Sequence, residues 1–147
     1  MAETLGSLCD KLTIVKLKQW HSTDSRRLET LAVQQQQLAE EIDEYLAGAV
    51  SGRIPPAKLT FAANKVYPKQ GNPVRDFSAS IGPLIGELAK VNCDIWHEQE
   101  KVYQFDQVPA AEKDGVIKQL AILNLERVAC AEAIDKELHR LVTRRPD

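Results

Sequence analysis

The chain contains two segments that repeat each other. The segments LCDKLTIVKLKQWH and LIGELAKVNCDIWH align without a gap, and each ends in a Trp-His pair. These pairs are Trp20-His21 and Trp96-His97, and the chain has no other tryptophan. Because a repeated segment predicts a repeated structural unit, this feature limits the fold more than any other.

A second alignment extends the repeat. The segment LAEEIDEYL, which starts at Leu38, aligns with CAEAIDKEL, which starts at Cys130. The second copy has extra residues between its two segments, and we expect them near YQFDQVPAAEKDG, where Pro and Gly indicate a loop or a helix start. Each half of the chain therefore contains two related elements in the same order.

All four repeated segments have the spacing of amphipathic helices. Apolar residues recur at intervals of three and four, which places them on one helical face. The four predicted stripes are Leu5, Leu8, Leu12 and Val15; Leu28, Leu31, Gln35, Leu38, Ile42 and Tyr45; Ile81, Leu84, Leu88, Val91 and Ile95; and Ile117, Leu120, Leu123, Arg127, Cys130, Ile134, Leu138 and Leu141. No stretch alternates long enough to predict a sheet.

The ends of these helices also have recognisable residues. The run Ser22-Thr23-Asp24 can cap the second helix, and Gly48 and Gly52 are suited to end it. Pro109 is suited to the first turn of the fourth helix. Short loops make consecutive helices antiparallel neighbours, so each half is predicted to be a helical hairpin.

Two hairpins with apolar faces bury them by packing together. We therefore predict an all-α protein, an antiparallel four-helix bundle built from two repeated helical hairpins with a long crossover connection. Residues 1–147 form a single domain, with hairpin one at about 4–48, the connection at about 49–77 and hairpin two at about 78–144.

Composition narrows the cellular setting. A formal net charge of −2 gives no reason to expect nucleic acid or an anionic membrane as a partner, and no apolar run is long enough to span a bilayer. Cys9, Cys93 and Cys130 form no CxxC pair and are expected to be small apolar residues in a reducing compartment. Acidic residues precede any apolar stretch, so no secretory signal is predicted and a cytoplasmic location is expected.

The two histidines of the repeat raise the question of a metal centre. His97 and Glu100 have the spacing of ligands in some di-metal bundles, and so do His21 and Asp24. Helical geometry, however, turns both imidazoles away from the apolar stripe. We therefore predict no metal and no cofactor, and we expect these histidines to be exposed or to face a partner.

Trp20 and Trp96 lie at the edge of their stripes, and two interpretations are open. Each indole could close the core with its N–H beside a polar group. Alternatively, the Trp-His pairs could form a homodimer or ligand surface, because aromatic residues contribute strongly to interfaces.

Arg127 interrupts an otherwise apolar stripe, and Gln35 is at the matching position in the first copy. A buried arginine needs a partner, and Asp10 and Glu87 are the candidates. The alternative is that Arg127 extends along the surface into solvent.

The connection is the other candidate binding region. Between Ala47 and Arg75 it has basic residues, no acid and two aromatic residues, and our site candidates within it are Lys65, Tyr67 and Lys69. Such a loop could bind phosphate groups, a nucleotide or a sugar, or it could be a solvated crossover.

No catalytic motif is present, so no catalytic residue is predicted. The leading expectation is a non-enzymatic interaction or accessory protein that forms a homo-oligomer or binds a protein partner through Trp20, His21, Trp96, His97 and Glu100. The alternative is an enzyme or binding protein for a phosphorylated or sugar-nucleotide ligand, which would use Arg127 and the basic connection.

The segments TLGSLCDKLTIVKLKQWH, VNCDIWHEQE and LNLERVACAEAIDKEL resemble a family of small helical bacterial proteins classed as a domain of unknown function. The resemblance covers the four helices and not the basic connection. Members of that family are often encoded beside glycosyltransferases. The resemblance implies a bacterial, cytoplasmic setting and a link to cell-surface sugars, and it implies no activity and no site residue.

Overall fold

The computed structural model describes residues 3–61 and 75–144. Within those residues the chain forms four α-helices and three short 3₁₀ turns. The α-helices are α1 at Leu5–His21, α2 at Ser25–Ser51, α3 at Ile81–Tyr103 and α4 at Lys113–Thr143. The predicted all-α four-helix bundle is confirmed. Lys65, Tyr67 and Lys69 lie outside the described residues.

Local capping explains where α1 and α2 begin and end. The Ser7 N–H donates to the Thr4 hydroxyl oxygen at 3.2 Å while the Thr4 N–H donates to Ser7 Oγ at 3.0 Å, which forms a capping box. Asp24 Oδ1 accepts from two backbone N–H groups in the first turn of α2, as the sequence predicts. Helix α2 ends at Gly52, whose φ of 81° is accessible to glycine at little cost. Gly48 does not end the helix but is buried within it.

Contacts between helices fix their directions. The start of α1 contacts the end of α4, and Asp10 in the middle of α1 contacts Arg127 in the middle of α4, so these helices are antiparallel. Asn92 of α3 also contacts Asp10, and further on along both helices His21 contacts Trp96, so α1 and α3 run parallel. Helix α2 packs chiefly on α1.

The main core lies between α1, α3 and α4, and residues from the second half of α2 pack against it. Leu88 and Ile134 are fully buried there, and Ile42 packs against the same cluster. From α1 the buried members are Leu5 and Cys9, whereas Leu12 is only half-buried. Burying a large aliphatic side chain contributes about 1.5–3 kcal/mol, so this cluster is a principal source of stability.

Two predictions about α4 are wrong in detail. Pro109 is not in its first turn, because a 3₁₀ turn at Ala110–Glu112 intervenes and α4 begins at Lys113. Ile117 is exposed, and Val116 is the residue buried in that turn. The predicted apolar stripe is therefore displaced by one residue at the beginning of α4.

The described parts of the connection are more than a solvated crossover. Helix α2 continues to Ser51, a 3₁₀ turn follows at Pro56–Lys58, and Leu59 is completely buried in the main core. Phe77, at the other end, packs against the main core and against a second buried cluster of Val91, Ile95 and Leu123. Leu59 and Phe77 are thus the departures from a solvated crossover, whereas most of the other described residues of the connection are exposed.

None of the helices in the described ranges is both long and apolar enough to cross a lipid bilayer.

Candidate functional site

Arg127 and Asp10 form an ion pair between α4 and α1. Arg127 Nε lies 2.9 Å from Asp10 Oδ1, and Arg127 Nη2 lies 2.6 Å from Oδ2. The Asp10 side chain is 12% exposed and the Arg127 side chain 35%. Of the two partners considered from the sequence, Asp10 is the one that binds Arg127, and the guanidinium is held between helices rather than extended into solvent.

A third helix completes this polar cluster. The side-chain amide of Asn92, on α3, donates to Asp10 Oδ1 and to Thr13 Oγ1, both at 2.8 Å. Thr13 in turn donates its hydroxyl proton to the Asp10 backbone carbonyl at 2.8 Å. Asp10 is therefore neutralised by one cation and held by one amide, which satisfies a carboxylate in a largely buried position.

Glu87, the other predicted partner of Arg127, is bound to a different arginine. Arg75 Nη1 lies 3.3 Å from Glu87 Oε2, and Arg75 Nη2 lies 3.4 Å from Oε2 of the buried Glu126. The same guanidinium stands over the Phe77 ring at 5.1 Å. Arg75 therefore ties the end of the connection to both α3 and α4, and the pKa of Arg75 is raised by its hydrogen bond to Glu126.

A groove opens beside Arg127 between α1 and α4, and we call it the Arg127 groove. Its volume is about 730 Å³, within the range of small-molecule binding sites. Its lining consists of Thr4, Ser7, Asp10, Phe61, Asn124, Arg127, Val128, Ala131, Glu132 and Asp135. His97 is not part of this lining.

Asp135 is an acid of the groove whose pKa is strongly shifted. It is buried, and its Oδ1 accepts a 2.7 Å hydrogen bond from the Gly6 N–H at the start of α1. Burial raises the pKa of Asp135 to about 6, against the lowering effect of the Gly6 N–H and the Thr4 hydroxyl, and the neighbouring Glu132 raises it further. A carboxyl group of this kind in a groove is a typical feature of binding and catalytic sites.

The raised pKa predicts how Asp135→Asn changes stability. The folded protein binds the Asp135 proton more tightly than the unfolded chain, in which the pKa of this side chain is 3.8. The stabilisation from the protonated carboxyl group is therefore present at low pH and is lost as the pH rises toward 6. Asparagine can still accept from Gly6 and carries no charge. We expect Asp135→Asn to stabilise the protein by about 2 kcal/mol at pH 7.5, with a gain that shrinks toward pH 4.5.

Urea unfolding at the two pH values measures this difference. Asp43→Asn is the matched control, because Asp43 is the counterpart of Asp135 in the repeat and is exposed on α2. It should change stability little at either pH. A variant Asp135→Asn that is less stable than the parent at pH 7.5 would contradict the assignment of a destabilising buried charge.

The second candidate site is an aromatic surface, by which we mean Trp20, His21, Trp96, His97 and Tyr103. The His21 and Trp96 rings are stacked with centroids 4.6 Å apart, and the His97 ring meets the His21 ring edge-on at 6.3 Å. His21 of the first Trp-His pair is thus brought against both rings of the second pair. Both imidazoles lie at the surface, as the sequence predicts.

Hydrogen bonds hold these rings in place. His21 Nδ1 donates to the Leu17 carbonyl oxygen at 2.8 Å, since a carbonyl can only accept. The Trp96 indole N–H donates to Glu100 Oε1 at 2.8 Å, and His97 Nδ1 lies 3.7 Å from the other carboxylate oxygen. Glu100 therefore orients Trp96, and the stacked pair is a preorganised platform.

Trp20 does not close the core. Its side chain is 86% exposed, so that interpretation is wrong for this residue. Trp96 is half-buried with its indole N–H bound, so it fits that interpretation in part. Tyr103 is also 86% exposed and lies two turns beyond Trp96 on the same face of α3.

The two sites are separate. Asp10 and His21 are 11 positions apart on α1, which corresponds to about 16 Å along the helix. The structure therefore does not bring Arg127 together with the Trp-His pairs. Across the ranges that the structure describes, no group of three or more His, Cys, Asp or Glu side chains is arranged to hold a metal ion.

Sequence reasoning missed several residues of these sites. Asp135 and Ala131 follow Arg127 at intervals of four, so the helical period could have placed them on the face of Arg127. Asn92 and Tyr103 carry no comparable signal, because each becomes relevant only through a neighbouring helix or through exposure. No family model, curated protein or solved structure matches this chain.

Proposed function

We propose that this protein is a non-enzymatic interaction protein that self-associates through the aromatic surface. The observation that supports this most strongly is Trp20, a large apolar side chain left 86% exposed beside a stacked His21–Trp96 pair. Tryptophan is the residue type most often found to dominate binding energy at protein interfaces. Burying it would remove roughly 150–250 Å² of aromatic surface from water.

A second copy of the chain is the occupant that we favour. The aromatic surface offers exposed aromatic rings on two helices, and such rings can stack on the same rings of a second copy. Most soluble homo-oligomers are twofold dimers in which the same patch is used by both copies. The platform needs little rearrangement, because Trp96 and His21 are already held by hydrogen bonds.

Trp20→Ala should weaken such a dimer strongly. A truncated hot-spot residue costs about 2 kcal/mol or more, and in a twofold contact the loss occurs in both copies. Size-exclusion chromatography with light scattering, run over a range of concentrations, should show twice the mass of one chain for the parent and a monomer for Trp20→Ala.

Val50→Ala is the control, since Val50 is also a strongly exposed apolar residue but lies near the end of α2, away from the aromatic surface. It should leave the mass unchanged. A parent that stays monomeric at every concentration, or a dimer that Trp20→Ala does not weaken, would contradict the proposal.

The Arg127 groove supports a second candidate function, the binding of a small molecule. A groove of about 730 Å³ with apolar walls and a few buried polar groups has the character of a ligand site. The phosphorylated ligand expected from the sequence is less well supported, because Arg127 is engaged by Asp10 and acids lie close by. A ligand that binds in the groove should raise the melting temperature.

The compartment that we propose is the cytoplasm. Cys9, Cys93 and Cys130 are all free thiols, and burial raises the pKa of both Cys9 and Cys130 to about 11. Thiols with a raised pKa are unreactive, and reducing compartments keep them in this state.

A further inference from the structure

The charged side chains that line the Arg127 groove are engaged within the protein. Both Asp10 carboxylate oxygens accept from the Arg127 guanidinium, at 2.9 and 2.6 Å. Asp135 accepts from the Gly6 N–H at 2.7 Å, and Glu132 has a partner as well. Bringing a charged group out of water is costly unless a counter-charge awaits it. Within the described ranges, the lining therefore offers a charged ligand no ionic partner that is not already engaged.

The uncharged polar side chains of the groove also have partners. Thr4 and Ser7 bind each other's backbone N–H groups in the capping box of α1. The Asn124 amide donates to the Leu120 carbonyl oxygen, one turn earlier on α4, at 3.0 Å. A ligand that depended on strong hydrogen bonds would compete with these contacts, and a broken internal hydrogen bond would offset what it gained. The lining thus favours a ligand of low polarity.

The apolar part of the lining is open to a ligand. Phe61 and Val128 are both exposed, and Ala131 lies about one turn of α4 beyond Val128. Covering such a wall removes apolar surface from water, which is favourable. An aromatic ligand gains more, because its ring can pack on the Phe61 ring. The partly exposed Arg127 guanidinium can also stack on an aromatic face while its N–H groups stay on Asp10.

We propose that the Arg127 groove binds small uncharged aromatic molecules, which pack on Phe61 and Val128 and leave the ion pair of Arg127 with Asp10 in place. This inference rests on the second candidate function, that the groove is a ligand site, and it does not depend on self-association.

Three probes with the same phenylpropyl body separate the effect of charge from that of shape. At neutral pH 3-phenyl-1-propanol is uncharged, 3-phenylpropylamine is a cation and 3-phenylpropionate is an anion. Isothermal titration should show that the alcohol binds the full chain about tenfold more tightly than either ion, because each ion would lose hydration without gaining a free partner. A fourth probe, 3-cyclohexyl-1-propanol, keeps the hydroxyl group but has no aromatic ring, and it should also bind more weakly.

Substitutions of exposed residues locate the binding site. Val128→Asp places a charge on the apolar wall and should weaken binding of the alcohol about tenfold, and Phe61→Leu removes the ring and should weaken it to a smaller extent. Val33→Asp is the matched control, because Val33 is also exposed but lies on α2, outside the groove. It should leave the affinity unchanged. All three positions are exposed, so circular dichroism and thermal unfolding should show folded variants.

The outcomes separate the ligand class from the existence of a ligand site. If either ion or the cyclohexyl alcohol binds as tightly as 3-phenyl-1-propanol and Phe61→Leu weakens that binding, the groove is a ligand site and the inferred ligand class is wrong. If Val33→Asp weakens binding of the alcohol as much as Val128→Asp, the alcohol does not bind in the groove and the inference is overturned. If none of the four probes binds, both the inference and the second candidate function fail.

Discussion

Replacing Arg127 with Met should destabilise the protein by about 3 kcal/mol, which is at the low end for breaking a buried ion pair. The Asp10 carboxylate, 12% exposed, would keep the Asn92 amide but lose its bidentate contact with the guanidinium. The cost is below that of a fully buried pair because the Arg127 side chain keeps 35% of its surface in water. The midpoint of urea unfolding measures it.

Arg140→Met is the matched control on the same helix. Arg140 also makes two contacts with one carboxylate, Glu137, at 3.0 and 2.6 Å, but the pair lies within one helix and the Arg140 side chain is 57% exposed. Exposed pairs contribute little, because water screens the charges and the side chains lose entropy. The unfolding midpoint should therefore change little in Arg140→Met.

The double variant Asp10→Asn with Arg127→Met should recover more than half of the loss. Removing both charges leaves a neutral amide that can still accept from Asn92, so no uncompensated carboxylate remains between the helices. Two results would contradict a stabilising ion pair between α1 and α4. One is that Arg127→Met destabilises the protein no more than Arg140→Met, and the other is that the double variant is less stable than Arg127→Met alone.

Much of this arrangement could be predicted from the sequence, because helical period and capping are local properties. Arg127 stands in an apolar stripe and Asp10 lies on the repeated first helix, so a pair between α1 and α4 could be anticipated without coordinates. The choice of Asp10 over Glu87 could not, because Arg75 reaches Glu87 from a connection that has no helical period of its own.

The Arg127 groove and the aromatic surface could not be predicted, because both depend on how the helices pack against one another. Asp43 and Asp135 occupy equivalent places in the AExID repeat, yet one is exposed and the other is buried beneath the start of α1. The stacking of His21 on Trp96 likewise requires α1 and α3 to run parallel. Such differences arise from packing between elements, and the pattern within one helix carries no information about them.

Leu59 shows a further reason why parts of the fold could not be predicted from the sequence. It follows two prolines in a segment without periodicity, so the sequence gives no sign that it is buried. Its place in the core is fixed by the left-handed Gly52, which ends α2, and by the short 3₁₀ turn that follows. Chain geometry at one glycine thus determines a core contact several residues later.

Gly6→Ala should destabilise the protein by about 3 kcal/mol, the upper part of the usual range for overpacking. A methyl group at Gly6 would lie 2.7 Å from the carbonyl carbon of Ala131, which is backbone of α4 and cannot rotate away. Helix α1 would have to move off α4, which would stretch the 2.7 Å hydrogen bond from the Gly6 N–H to Asp135 and loosen the packing of Leu5.

Gly86→Ala tests whether the loss of stability in Gly6→Ala comes from the contact with Ala131 or from replacing any glycine in a helix. Gly86 lies within α3, and a methyl group there would meet nothing within 4 Å. Its replacement should stabilise the protein by about 0.5–1 kcal/mol, because alanine loses less conformational entropy on folding. Opposite signs for the two substitutions in urea unfolding would establish close approach of α1 to α4 at Gly6. A stabilising Gly6→Ala would mean that the helices stand further apart, and that the Arg127 groove between them has a different shape.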